Sequence, residues 1–250
     1  MNEPASLLQT ARGLLLGARS ICVLTGAGMS AESGIATFRD AQSGLWSRFD
    51  PMQLASVEGF RANPTLAWDW YAERRAGVRA VQPNAGHVAL AQFAAARPGR
   101  LSIVTQNVDD LHQRAGSEGV IRLHGDILQD QWLDPCRRDL VCDTEWAGAT
   151  RPPRCADCGN LLRPGVVWFG EMLPPAAIDA AELAARRCRL MLVVGTSGAV
   201  WPAAGLAGEA RRHGASVVIV NPEASEIDGD AQHLLRGTAA TLLPALLDGL

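Results

Sequence analysis

The sequence predicts an α/β chain: a doubly wound parallel sheet with a smaller second domain formed by two insertions, one helical and one rich in cysteine. Three observations predict it. The runs ICVLT (21–25), LMLVVG (190–195) and SVVIV (216–220) are almost continuously apolar, as strands buried on both faces should be. These runs alternate with longer stretches of helical character, the pattern of a parallel sheet covered on both sides. Two stretches, 38–84 and 126–163, break that rhythm. The expected division is therefore 1–37, 85–125 and 164–250 for the sheet domain, and 38–84 with 126–163 for the smaller one.

In chain order, residues 4–17 read as a helix leading into the first strand, 21–25. That strand runs straight into Thr25-Gly26-Ala27-Gly28-Met29-Ser30-Ala31-Glu32-Ser33-Gly34. A strand, a glycine turn and a helix start bring backbone N–H groups close to a phosphate. The spacing is not G-x-G-x-x-G, because five residues separate Gly28 from Gly34. The acidic residue expected about 20 residues further on in a dinucleotide fold is not recognisable either. A turn serving packing alone is the competing reading.

Residues 64–80 form a helix pattern rich in aromatics, with Trp68, Trp70 and Tyr71. A second helix is expected at 85–97, then strands at LSIVT (101–105) and VIRL (120–123). Helices follow at 176–188, 201–213 and 239–248, separated by the strands 190–195 and 216–220. The ligand edge of such a sheet is its carboxyl edge. Gln106-Asn107-Val108-Asp109, His124, Gly195-Thr196-Ser197 and Asn221 all follow strands there. Asn107 can also be read as a helix N-cap, and His124 as a structural histidine.

The chain has 250 residues and a mass of 26.6 kDa, enough to bury a core without staples. Charged residues make up 20% and hydrophobic ones 48%, which excludes a disordered chain. The charge sum, 23 − 26 = −3, excludes a partner recognised through a generally basic surface, so no nucleic-acid binding is expected. The longest uncharged run, Leu190 to Gly208, is broken by glycines and Pro202, so no membrane span is expected. The N-terminus places Glu3 early and lacks an ordered export signal, which reads as cytoplasmic. Of six cysteines, Cys136, Cys142, Cys155 and Cys158 crowd into one short stretch, which points to a structural metal before disulfides.

Taken together, GAGMSAESGIATFR (26–39), TQNVD (105–109), HG (124–125), GVVWFGE (165–171), GTS (195–197) and NP (221–222) resemble, in order, the motifs of the sirtuins, NAD-dependent protein lysine deacylases. The resemblance runs from about residue 20 to 245 and implies a Rossmann-like sheet. It implies NAD contacts at Gly26, Ala27, Gly28, Ser30, Ser33, Gly34, Ile35, Thr37, Phe38, Arg39, Gln106, Asn107, Asp109, Gly195, Thr196, Ser197, Asn221, Pro222, Glu223 and Ala239. Asn107 and Asp109 would line the nicotinamide pocket, and Phe38 would shield the intermediate. His124 would be the general base. The partner would be an acyl-lysine protein or peptide, added as a strand beside Val167, Phe169, Gly170 and Glu171.

The implied reaction transfers ADP-ribose to the acyl oxygen, releasing nicotinamide and then free lysine and O-acyl-ADP-ribose. A mono-ADP-ribosyltransferase, an NAD hydrolase and a noncatalytic sensor are the rivals. Tyr71 and Arg74 share one helix face. Ordinary surface residues would do the same, but AWDWYAERR resembles the class III stretch in which a Tyr-x-x-Arg pair binds succinyl or malonyl carboxylates, with acetyl also turned over. For the cysteines, the family pattern is C-x-x-C twice. Here Cys155 and Cys158 fit, whereas Cys136 and Cys142 are displaced and separated by five residues. The four remain candidate ligands of one structural zinc ion.

Overall fold

A computed structural model describes residues 3–36, 50–139 and 150–249. Helix α1 (Glu3–Gly17) leads into β1 (Ile21–Thr25), which turns at its carboxyl end into the one-turn helix α2 (Gly28–Ala31). Helices α3 (Pro51–Leu54), α4 (Val57–Ala62), α5 (Pro64–Ala80) and α6 (Ala85–Ala96) precede β2 (Leu101–Thr105), α7 (Leu111–Arg114) and β3 (Ile121–Arg122). Strands β4 (Gly125–Trp132) and β5 (Leu162–Val166) follow. The chain closes with α8 (Pro175–Arg187), β6 (Leu190–Val194), α9 (Gly205–Arg212), β7 (Ser216–Val220), β8 (His233–Leu235) and α10 (Ala239–Leu247).

Six strands form one parallel sheet in the order β3-β2-β1-β6-β7-β8. The order reverses between β1 and β6, and the crevice at such a switch point is where ligands of these sheets bind. The apolar strands divide their side chains between two cores. Val23, Leu192, Val194, Val218 and Val220 face α1, α6 and α10. Cys22, Leu24, Met191, Val193, Val217 and Ile219 face α8 and α9. Both faces are covered, which explains why β6 is wholly apolar and why the polar residues of β1 and β7, Thr25 and Ser216, stand at their ends.

β4 and β5 pair antiparallel outside this sheet. Ile127, Val166 and Trp168 share a third core with Leu54, Phe60, Trp70 and Tyr71 from the helical insertion. The two stretches that break the rhythm of the sequence thus pack on each other. The turn from β3 into β4 runs through His124-Gly125, and Gly125 has φ +81°, with the Gly165 carbonyl oxygen against the place a Cβ would take. Only glycine fits there.

Local signals set several helix ends. Asn63 caps α5 ahead of Pro64. Asn84 accepts from the amides of Gly86 and His87 while His87 Nδ1 accepts from the Asn84 amide, a reciprocal box that starts α6. Two expectations shift. The helix predicted at 201–213 begins only at Gly205, because residues 201–204 form turns. The strand expected at 120–123 narrows to Ile121–Arg122, which pair with Val104 and Thr105 of β2. Among the described residues no helix is long and apolar enough to cross a membrane.

Candidate functional site

The switch point is built by two glycine turns in contact. Gly28 donates to the Gly195 carbonyl at 2.8 Å, and Gly195 takes φ +61°. A Cβ on Gly195 would lie 2.5 Å from the backbone of Gly28 and Met29. These glycines therefore let the ends of β1 and β6 touch. Gly34 also lies at positive φ, and Ile35 packs on the third core.

Around this contact the carboxyl edge gathers the predicted polar residues. Gln106 Nε2 donates to Thr196 Oγ1 at 3.1 Å, and Asn221 Nδ2 donates to the Thr196 carbonyl at 3.0 Å. Ser197 Oγ accepts from the Ala199 amide. Pro222 and Glu223 are exposed beyond Asn221. Ala239 is buried at the start of α10, packed on Gly86.

Ser30 is the hub of a buried network. Its hydroxyl donates to Asp109 Oδ2 at 2.9 Å and accepts from Asn107 Nδ2 at 3.0 Å. The Leu111 amide donates to Asp109 Oδ1. Burial pushes the Asp109 carboxyl above its usual range, against these bonds. Ser33 Oγ accepts from Asn84 Nδ2, which also reaches the Met29 carbonyl.

His124 follows β3 and is half-buried. Its Nδ1 lies 2.8 Å from the Gln106 carbonyl, which can only accept. Nδ1 therefore carries the proton and Nε2 presents a lone pair. Burial holds the imidazole below its ordinary value, partly opposed by the Gln106 carbonyl, so it is neutral at pH 7.

Tyr71 and Arg74 lie one turn apart on α5. Tyr71 is 5% exposed, and burial raises its phenol to about 12. Arg74 lies over the Trp70 ring at 4.7 Å, and its buried Nε has no hydrogen-bond partner. Burial lowers the guanidinium's pKa, opposed by Tyr71 and Asp109. A guanidinium whose buried Nε lacks a hydrogen-bond acceptor, beside a phenol, suits an anionic ligand.

The stretch 167–171 is tied down from within. The Val167 amide donates to the His124 carbonyl and the Phe169 amide to the Ala55 carbonyl, both at 2.9 Å. Glu171 turns back to pair with Arg163 at 2.5 and 2.9 Å and to accept from the Trp168 amide at 2.8 Å. Its carboxylate is thus held by the protein itself. Gly170 turns at φ +84°.

Cys136 Sγ lies 3.5 Å from Cys155 Sγ and 3.7 Å from Cys158 Sγ, and all three sulfurs lie within 4.8 Å of one another. A tetrahedral zinc with bonds of about 2.3 Å places its sulfurs about 3.8 Å apart, so the three thiols fit the ion. Backbone amides of Cys158 and Asp157 hold Cys155 below the usual thiol range, favouring the thiolate. Cys142, Thr37, Phe38 and Arg39 lie outside the described residues.

Sequence reasoning missed a buried histidine pair behind Ser30. His87 Nε2 is 3.5 Å from Ser30 Oγ, and His112 Nε2 is 3.1 Å from Thr25 Oγ1. Thr25 in turn donates to Thr105 Oγ1. Burial lowers His87 to about 4, and burial with His87 and Arg122 nearby lowers His112 to about 3. The N-x-x-H capping pattern at 84–87 was the available signal. Two open clefts, of about 450 and 250 Å³, lie at the amino edge and contain none of the predicted residues.

A parallel sheet in this order, with polar side chains converging at its switch point, defines an α/β protein of the dinucleotide-binding class. The model of the Sir2 family matches residues 26–202. An NAD-dependent protein deacylase of Ralstonia nicotianae is 54% identical over 95% of this chain and 94% of its own. The structure is similar to a Sir2 homolog–NAD complex, with TM-score 0.84, 41% identity and coverage of 97% and 92% of the two chains. It is also similar to Sir2Tm bound to a propionylated peptide, with TM-score 0.82, 31% identity and coverage of 94% and 95%. The chain belongs to the Sir2 family.

Proposed function

We propose that this chain is an NAD-dependent protein lysine deacylase whose pocket prefers succinyl- and malonyl-lysine over acetyl-lysine. The deacylase reading follows from the family and its named relatives. The acyl preference is carried by one observation: Arg74 is buried at Nε without a partner, one turn from the phenol of Tyr71. A carboxylate at the end of the acyl chain would satisfy both donors, whereas an acetyl methyl would leave the guanidinium unpaired.

In this reading the acyl-lysine lies beside Val167, Phe169, Gly170 and Glu171. Its carbonyl oxygen bonds to the ribose carbon of NAD as the bond to nicotinamide breaks. Asn107 and Asp109, held together through Ser30, face the carboxamide. His124 Nε2 takes the proton of a ribose hydroxyl, and that oxygen adds to the acyl carbon. Water completes the balance, and lysine leaves as the amine with the acyl group on ADP-ribose. The glycine turns, Gln106, Thr196, Ser197, Asn221, Pro222, Glu223 and Ala239 hold NAD along the sheet edge.

Cys136, Cys155 and Cys158, with Cys142, hold a structural zinc; such a closed site stabilises its lobe and takes no part in the chemistry. We read 38–84 and 126–163 as the smaller domain, supported by the core that Tyr71 and Trp70 share with Ile127.

One peptide is offered as its acetyl-, malonyl- and succinyl-lysine forms, with and without NAD, and all products are weighed by mass spectrometry. Matched yields of free-lysine peptide, nicotinamide and O-acyl-ADP-ribose, largest for the acidic acyl groups, are expected. Turnover of acetyl-lysine alone would remove the acidic preference. Nicotinamide release without loss of the acyl group would replace deacylation by NAD hydrolysis or ADP-ribosyl transfer.

A further inference from the structure

We propose that Trp168, clamped by Arg163 and Glu171, is a positioning residue for acyl specificity: its indole N–H occupies the Tyr71 oxygen and turns the phenol's own proton toward the acyl carboxylate. The proposal rests on the acidic-acyl reading above and deepens it.

The direction of one hydrogen bond carries it. Trp168 Nε1 lies 3.0 Å from the Tyr71 hydroxyl, and both groups are buried. An indole N–H only donates, so the Tyr71 oxygen must accept. The phenol's single proton is then free to point elsewhere, and no acceptor for it occurs among the described residues. Arg74, one turn further along α5, offers the second unpaired donor. A phenol left to rotate would offer either its lone pair or its proton. A phenol whose lone pair is already engaged presents the proton, which is what a carboxylate requires and an acetyl methyl cannot use.

The indole is fixed with unusual thoroughness. The Arg163 guanidinium lies 3.5 Å from its ring centroid, and the Phe60 ring packs at 5.1 Å. Arg163 is 2% exposed and spends its donors on Glu171 and on the Val166 carbonyl at 2.6 Å. Glu171 returns a bond to the Trp168 amide, so the ring and the backbone that carries it are held by the same ion pair. Arg163 is a buried charge whose partner Glu171 stays part-exposed, and burying a charge is a costly way to gain stability that a well-packed apolar group would match. A buried guanidinium that stacks on one indole and pairs with the carboxylate holding that indole's backbone is better explained by the geometry it imposes.

The test replaces Trp168 by β-(3-benzothienyl)alanine, which keeps the shape and loses the N–H, alongside Trp168→Phe. Succinyl and acetyl forms of one peptide are compared for KM and kcat. The expected result is a rise in KM for the succinyl peptide of about tenfold, the size of one hydrogen bond. The acetyl peptide should change by less than about twofold on the same scale. In a Tyr71→Phe background the same replacements should leave the succinyl-to-acetyl ratio unchanged, because the group through which Trp168 acts is gone.

Equal losses on both peptides would make Trp168 ordinary packing and overturn the proposal. A further fall in the ratio in the Tyr71→Phe background would overturn it as well. Tyr71 is the only tyrosine of the chain, so the Raman Fermi doublet of its ring reports this phenol alone. Succinyl peptide should move that doublet toward a donating phenol in the native protein; an unmoved doublet would count against the proposal. Arg74→Met separates the two levels. Its failure to reduce the succinyl preference sinks the pocket reading itself, whereas its success combined with inert Trp168 replacements sinks only this inference.

Discussion

His124 and Gln106 are joined through a ring nitrogen and a backbone carbonyl 2.8 Å apart, and that bond assigns the proton to Nδ1. The second-strand turn therefore sets the tautomer of the residue after the third strand and leaves Nε2 as the basic atom. Replacing His124 by Ala should reduce deacylation by at least about a hundredfold while circular dichroism stays native. Near-normal turnover would remove His124 from the chemistry.

The pH profile should carry the same signature. The imidazole must be neutral to accept a proton, and its folded value lies below the ordinary 6.5. Activity should therefore be retained as pH falls to 6.5 and be lost only below it. An acidic limb centred above pH 6.5 would show that another group controls the rate.

Arg74→Met is expected to raise KM for succinyl-lysine by about tenfold or more, the scale of losing a charge-assisted hydrogen bond, and to leave acetyl-lysine much less affected. The melting temperature should change little, because the loss of the guanidinium's contact with Trp70 is offset by removing a buried Nε that has no hydrogen-bond partner. Equal kinetic losses on both substrates would make the arginine structural.

Elemental analysis should find one zinc ion per chain. Cys155→Ser should lower both metal content and melting temperature, since Cys155 sits between two other thiols and two backbone amides. Cys142→Ser tests the fourth ligand directly. Full zinc content in that variant would assign the fourth position to another group.

Acid stability should depend on the buried histidine pair. His87 and His112 have folded values near 4 and 3, below the unfolded value of 6.5. The unfolded chain binds their protons first, so stability is complete above pH 6.5 and falls as pH drops toward 4 and 3. Each histidine contributes a slope of up to about 1.4 kcal/mol per pH unit in its window. Asp109, shifted upward, opposes this by one proton at most. Denaturant titrations at pH 7, 5.5 and 4.5 measure the slope, and a stability that is flat over this range would contradict the burial of the pair as neutral rings.

The apolar strand runs, the glycine turns and the order of the motifs were legible in the sequence, because each is a local property of contiguous residues. So were the long helices, whose caps at Asn63 and Asn84 are sequence signals. The short strand β8 and the pair β4–β5 were not, because three residues carry no period and an antiparallel pair separated by 29 residues leaves no local trace. The purpose of Gly195 could be suspected from its place after a strand. That it admits the backbone of Gly28 is a fact of the folded sheet, in which β1 and β6 become neighbours across 164 intervening residues.

The sequence by itself determined the fold class, the family motifs and the inventory of reactive groups. Side-chain type and spacing are enough to specify those. Only the tertiary structure decided which groups are paired and which are left open. It closed Glu171 onto Arg163, turned His124 by its bond to Gln106, placed Trp168 on Tyr71 and left Arg74 Nε without a partner. Hydrogen-bond direction and desolvation depend on neighbours distant in the chain, and the sheet and the small core supply those neighbours.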